Sequence, residues 1–190
     1  MSNIIFRQSK RVILRPFDRS EIPTLCKWVN DPDVTQFTRS IFPVYEQQEE
    51  EWFDGLARRK DSAVLGIVVR ESNTLIGTIG LHGINWQSRT ATTGAMIGEK
   101  AYWGKGYGTE AKMLLLDFAF NTLDLNIIQS HALASNERSI AYSKKCGYEE
   151  VARIPDWHRR LTGECCADVI LIVTQEKWRP LWDEFKKLQT

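Results

Sequence analysis

The chain is 190 residues long, enough to bury one continuous core and short for two catalytic lobes, so a single domain spanning 1–190 is expected. Its 25 lysines and arginines nearly balance its 24 aspartates and glutamates, which excludes a global field drawing it to nucleic acid or an anionic membrane. Any anion it binds must be held locally. No stretch is apolar enough for a signal peptide or a bilayer span, which makes a soluble cytoplasmic protein the expectation. Four cysteines give neither a C-x-x-C pair nor a disulfide-dense pattern and read as reduced thiols. His82, His131 and His158 lie far apart without metal-binding spacing, so no metal site is expected and lone histidines read first as structural.

Val12 to Phe17 reads as a strand, and Asp18-Arg-Ser-Glu21 supplies capping residues for a helix running through Leu25 and Trp28 to Asp31-Pro32. A second amphipathic helix is predicted over Glu46 to Arg59. Ala63 to Arg70, Leu75 to His82 and Ala91 to Gly98 read as strands separated by turn residues at Ser72-Asn73 and from Asn85 to Ser88, which makes an antiparallel meander. Ala111, Leu114, Leu115 and Phe118 recur at helical spacing, and Ile127 to Ala132 is again a strand. Strand, helix and strand in succession imply a parallel crossover. Asn136 to Cys146 reads as a helix stopped by Gly147, followed by strands near Tyr148 to Ile154 and Cys165 to Thr174. The expected class is mixed α/β around one largely antiparallel sheet with flanking helices.

The most informative segment is Gly98 to Ala111, where Gly104, Gly106 and Gly108 alternate between a strand and an amphipathic helix. Alternating glycines let backbone N–H groups turn toward an anion, and the following helix presents unpaired N–H groups and the positive end of its dipole. Lys105 adds a mobile cation. A glycine-rich turn without a ligand is the alternative. Gly106-x-Gly108-x-x-Ala111 formally matches the dinucleotide fingerprint, but that motif follows its strand directly and opens a fold of two βαβ halves, for which too little chain remains. A nucleotide P-loop needs glycine followed by lysine and then serine or threonine, and no glycine here has that sequel.

At this loop the chain resembles the GNAT acetyltransferases, whose coenzyme A loop runs Arg/Gln-x-x-Gly-x-Gly/Ala. Trp103-Gly-Lys-Gly106-Tyr-Gly108 matches except that tryptophan stands first, and the longer string from Tyr102 to Ala111 is similar to the RimJ/RimL-like branch, where tryptophan is usual. The resemblance implies acetyl-CoA as cosubstrate, its pyrophosphate held by Trp103, Gly104, Lys105, Gly106, Tyr107, Gly108 and Thr109. A second block, Asn136 to Tyr148, is similar to the family pattern N-x-x-S/A-x-x-x-Y/S-x-x-x-G-F/Y and implies Asn136 and Ser139 against the coenzyme. Asn136, Ser139 and Ser143 are spaced to share one helical face that can line a cleft; an N-cap with solvated serines is the alternative. Leu14-Arg15, Trp28-x-Asn30-Asp31-Pro32, Asp168 to Ile172 and Glu176-Lys-Trp178 extend the likeness over nearly the whole chain. Thr92, where many relatives carry glutamate, and a longer turn from Gly163 to Asp168 depart from the pattern. The fold implied is GNAT-like, with a splayed parallel strand pair.

The same resemblance implies direct attack of a neutral primary amine on the thioester, through a tetrahedral intermediate that expels the thiolate. The oxyanion donor would be a backbone N–H near Met96 or Ile97. Ser143 would protonate the thiolate, standing where many relatives have tyrosine, with Tyr142 the alternative about 100° round the helix. His82, Asp156, His158 and Glu99 are candidates for taking the amine proton, and a water chain is a further one. For the acceptor, Asp33 to Tyr45, Leu81 to Arg89 and Pro155 to Gly163 supply Phe37, Phe42, Trp86 and Trp157 with Arg39, Arg89, Arg159 and Arg160. Such a set favours a small amine or an amino sugar, including a phosphate-bearing one, and would repel a polycation such as spermidine. A protein N-terminus is the alternative acceptor. A coenzyme A sensor without catalysis and an interaction module built on Trp52, Trp86, Trp157, Trp178 and Trp182 are the competing classes, and monomer and homodimer are both compatible.

Overall fold

The computed structural model describes residues 4–38, 42–159 and 163–189. Eight strands form one sheet: β1 (Arg7–Gln8), β2 (Val12–Arg15), β3 (Ala63–Val69), β4 (Thr74–Asn85), β5 (Thr90–Ile97), β6 (Ile127–Leu133), β7 (Glu149–Arg159) and β8 (Cys165–Thr174). Their order across the sheet is β1-β2-β3-β4-β5-β6-β8-β7, and the pair β5–β6 is parallel while the others are antiparallel. The helices are α1 (Ile22–Val29), α2 (Pro32–Thr35), α3 (Glu46–Leu56), α4 (Tyr107–Asp117), α5 (Glu137–Lys145) and α6 (Gln175–Gln189). The meander and the parallel crossover through α4 therefore stand as expected. Among the described residues, no helix is long and apolar enough to cross a membrane.

Side-chain alternation along the strands sorts the interior into two layers. Val12 and Leu14 of β2 and Ile67 and Val69 of β3 join the cluster that holds α4 and the tryptophans of α6. Ile13 and Val68, one step out of phase, join Leu25, Trp28 and Val34 from α1 and α2 on the other face. The first layer is centred on α4, in which every residue from Glu110 to Leu116 is buried. Three of these elements lie outside the sequence expectations: β1, α6 and the short α2, which begins at Pro32 where the first helix was expected to end. β1 is too short for any periodicity to show. α6 carries Pro180 inside it, which disguises a helix whose Trp178, Trp182 and Phe185 stack at 5.3 and 5.4 Å between ring centroids.

For function, the decisive feature is where the sheet splits. β5 and β6 pair only from Thr90↔Ile127 to Thr93↔Ser130. Beyond that point β5 stays paired with β4 as far as Ile97, and β6 stays paired with β8 as far as Leu133, but the two part from each other. A V-shaped opening results, across which the two strands no longer pair with each other.

Candidate active site

The V opens into a cleft of about 440 Å³, a size suited to a small-molecule ligand. Its walls are Thr93 to Ile97 of β5, Ser130 to Leu133 of β6, one face of α5, the turn into α4, and Asp33, Val34, Phe37 and Thr38 from the α2 region. Of the residues expected to meet the coenzyme, Met96, Ile97, Trp103, Gly104, Gly106, Tyr107, Gly108, Thr109, Asn136 and Ser139 all line it. Lys105 does not: its ammonium lies 5.9 Å from the Tyr102 ring centroid, outside the wall, and only its carbonyl takes part in bracing the loop.

Backbone conformation explains the glycines. Gly104 and Gly106 adopt φ of 72° and 86°, the left-handed region that side chains avoid. Gly106 is the N-cap of α4, and the first helical bond runs from Glu110 N–H to Gly106 O at 3.1 Å. The N–H groups of Tyr107, Gly108 and Thr109 therefore have no helical carbonyl to reach. A Cβ added to Gly108 would find only Ile97 Cγ1, at 4.0 Å, so protein does not fill the space in front of it.

The loop is braced from three sides. The Trp103 indole donates to Ile97 O at 2.7 Å, tying the loop to the free end of β5, and Arg138 covers the Trp103 ring at 4.6 Å. From the other side, Arg11 donates to Lys105 O at 3.1 Å and to Glu110 Oε2 at 2.8 Å, and its guanidinium sits 4.8 Å over the Tyr107 ring. Tryptophan in the place of the family's arginine or glutamine thus serves as a structural tie.

On α5, Asn136 is the N-cap, its Oδ1 accepting from Ser139 N–H at 3.1 Å, and its side chain also faces the cleft. Further along, the cleft face runs through Tyr142 and Lys145, which corrects the expectation for Ser143. Ser143 is 1% exposed and its hydroxyl has no partner among the described residues. One residue is about 100° of helix, so the phase that puts Tyr142 on the cleft turns Ser143 inward. Beneath Tyr142 lies Lys112, fully buried in α4. Its ammonium donates to Thr93 Oγ1 at 2.8 Å and stands 5.2 and 5.0 Å from the Tyr142 and Tyr148 ring centroids. Thr93 Oγ1 in turn lies 2.9 Å from the Tyr148 hydroxyl. Burial pushes the Tyr148 phenol up to about 12 despite the Lys112 charge, and does the same to the Cys146 thiol.

His131, His158 and Asp168 also line the cleft, as do Asp33 and Phe37. Asp33 shares Lys100 with Asp31. The other proton-acceptor candidates stay outside the wall. The Glu99 carboxylate accepts from the Trp28 indole at 3.0 Å, Asp156 is exposed at a left-handed φ of 53°, and His82 packs over Gly80 and Gly94 with its basicity lowered by burial. Of the aromatic and arginine set expected at the acceptor end, Phe37 lines the cleft and the other described members do not. Phe42, Trp86 and Trp157 are exposed away from the cleft, Arg89 pairs with Asp124, and Arg159 does not line the wall. Arg39 and Arg160 lie outside the described residues. Trp178 and Trp182 are core, so the tryptophans form no common surface. Among the described residues, no group of three or more His, Cys, Asp or Glu side chains is arranged to hold a metal ion.

Residues 11–149 match the family described as Acetyltransferase (GNAT) domain, and the chain belongs to that family of N-acetyltransferases. It is similar to "Uncharacterized N-acetyltransferase p20" of Bacillus licheniformis, 26% identical over 155 residues that cover 80% of this chain and 86% of that protein. It is also 30% identical over 148 residues to "Uncharacterized N-acetyltransferase YoaA" of Bacillus subtilis (strain 168), covering 75% of this chain and 82% of that protein. In fold it is similar to the spermidine N-acetyltransferase from Vibrio cholerae solved in complex with CoA and spermine, with a TM-score of 0.81 at 19% identity over 88% of this chain and 98% of that one. The protein is an acyltransferase.

Proposed function

We propose that this cleft binds acetyl-CoA and transfers its acetyl group to a small primary amine. The observation that carries the reading is the run of uncommitted N–H groups at Tyr107, Gly108 and Thr109, opening onto the split between β5 and β6. A pyrophosphate suits the helix end, where donors and dipole both favour negative charge. An extended amide chain such as pantetheine suits the two strand edges where β5 and β6 no longer pair with each other, which offer it backbone partners. Arg138 and Lys145 supply positive charge on that side of the cleft.

Register selects the oxyanion donor. Gly98 N–H turns toward β4 and bonds Ile76 O, while Ile97 O turns the other way and takes the Trp103 indole. Alternation along the strand then aims the Ile97 N–H into the split and the Met96 N–H at β4. In this reading Ile97 stabilises the developing oxyanion and Met96 contributes only its side chain. Tyr142 replaces Ser143 as the group placed to protonate the departing thiolate, with the buried Lys112 charge behind its ring.

The negative charge of Asp33 and Asp168 on the cleft wall suits an ammonium. The test is a thiol-release screen with acetyl-CoA against polyamines, amino sugars, aminoglycosides and short peptides. Turnover of small amines supports the reading. Turnover of peptide N-termini alone overturns the acceptor, and absence of both turnover and saturable coenzyme A binding overturns the whole.

A further inference from the structure

His131 and His158 stand apart in sequence yet meet on one carboxylate. Asp168 lies on β8 opposite Leu133 of β6 and Ile154 of β7. His131 approaches from the free end of β6, its Nδ1 2.7 Å from Asp168 Oδ2. The register of β7 slips between Ile154 and His158, and this irregularity brings His158 Nε2 to 3.1 Å from Asp168 Oδ1. Both oxygens of a carboxyl that is 3% exposed are thereby used, and all three side chains line the cleft. Burial pushes the Asp168 carboxyl up, but the hydrogen bonds from His131 and His158 outweigh it and hold the group below the usual aspartate range.

An ionised carboxylate only accepts, so the shared hydrogen bond assigns the His131 proton to Nδ1 and leaves Nε2 as an acceptor. The His131 side chain is 32% exposed against 14% for His158, which makes it the more accessible of the two imidazoles, and its Nε2 is not taken by Asp168. We propose that His131 is the general base that takes a proton from the acceptor ammonium, with Asp168 as the positioning residue that sets its tautomer and His158 as a second brace. This rests on the acetyl-transfer reading above. The ammonium gives one proton to His131 Nε2, and the freed lone pair forms the C–N bond. The C–S bond then breaks with its electron pair on sulfur, the second amine proton ends on the thiolate, and His131 returns its proton to solvent.

The test compares kcat/KM for a primary amine across pH in wild type, His131→Gln, Asp168→Asn and His158→Gln, with coenzyme A binding measured for each. His131→Gln is expected to lose about 100-fold at neutral pH, with the deficit narrowing as the amine itself begins to deprotonate and with coenzyme A binding unchanged. Asp168→Asn should also lose activity, because a neutral carboxamide keeps one acceptor oxygen for two imidazoles and no longer fixes the His131 tautomer, whereas His158→Gln should lose less. Asp33, Tyr102, Tyr107, Arg138, Tyr142 and Lys145 also face the cleft and are untouched in these variants, so a changed profile reports on the imidazoles. A His131→Gln enzyme with wild-type kcat/KM, or with an equal loss at every pH, overturns the proposal even if Asp168→Asn fails to fold. Wild-type protein that turns over no amine overturns the parent reading instead, a distinguishable result.

Discussion

Gly108 and Gly106 look alike in sequence but should respond differently to the same substitution, and the difference isolates the anion site. Gly106 sits at φ 86°, so alanine there costs about 1–2 kcal/mol of backbone strain before any ligand is considered. Gly108 has no such conformation, and its added Cβ would meet nothing nearer than Ile97 Cγ1 at 4.0 Å. Within α4, alanine in place of glycine gains up to about 1 kcal/mol in helix propensity. Gly108→Ala is therefore expected to fold as well as wild type, and Gly106→Ala less well, with a melting temperature lower by roughly 2–8 °C. Coenzyme A binding should fall in Gly108→Ala and further in Gly108→Val, because the side chain enters the space the pyrophosphate must use. Losing one hydrogen bond to a charged phosphate costs about 1.5–3 kcal/mol, or roughly 10- to 100-fold in Kd. Calorimetric titration with thermal unfolding measures both quantities on each variant. Wild-type affinity in Gly108→Val would refute the assignment of the anion to this helix end.

Tyr142→Phe should lower kcat by about 100-fold with little change in coenzyme A affinity, while Ser143→Ala should leave turnover unchanged, the reverse of what motif spacing alone suggests. Among the thiols, Cys165 is exposed and Cys146 is buried with its pKa up at about 12, so maleimide labelling read by mass spectrometry should mark Cys165 first and Cys146 only on unfolding. Asp168 has a depressed folded-state pKa, so its contribution to stability is present above the ordinary aspartate value near 4 and is lost as pH falls through the lower folded value. Urea unfolding of wild type should accordingly weaken through that acid window, and Asp168→Asn should weaken less over the same range.

Much of the fold was legible because its signals are local. The β3–β5 meander follows from alternation and turn residues, and the glycine loop could be read because composition encodes backbone conformation: two of its glycines do occupy the left-handed region. The phase of α5 was not legible to the same depth. Motif spacing points to position 143, but the packing of that helix against the sheet decides which of two adjacent residues faces the cleft. The His131–Asp168–His158 cluster was hidden for another reason. Its members lie 37 and 10 positions from Asp168, and strand register together with a slip in β7 joins them. Lys112 did leave a trace, as the lone charge in the otherwise apolar run Ala111 to Leu116, and a buried location follows from that pattern. Arg89 and Arg159 miss the cleft because they stand on loop and strand-end segments whose separation no local pattern reports.

The central claim, acetyl transfer in the β5–β6 cleft, is tested most directly by incubating the purified protein with acetyl-CoA and a small primary amine and measuring thiol release and amine mass together. The expected result is one thiol released per acetylated amine, saturable in acetyl-CoA and strongly reduced in Gly108→Val. Contradiction would be a protein that releases no thiol with any amine in the panel and shows no saturable coenzyme A binding.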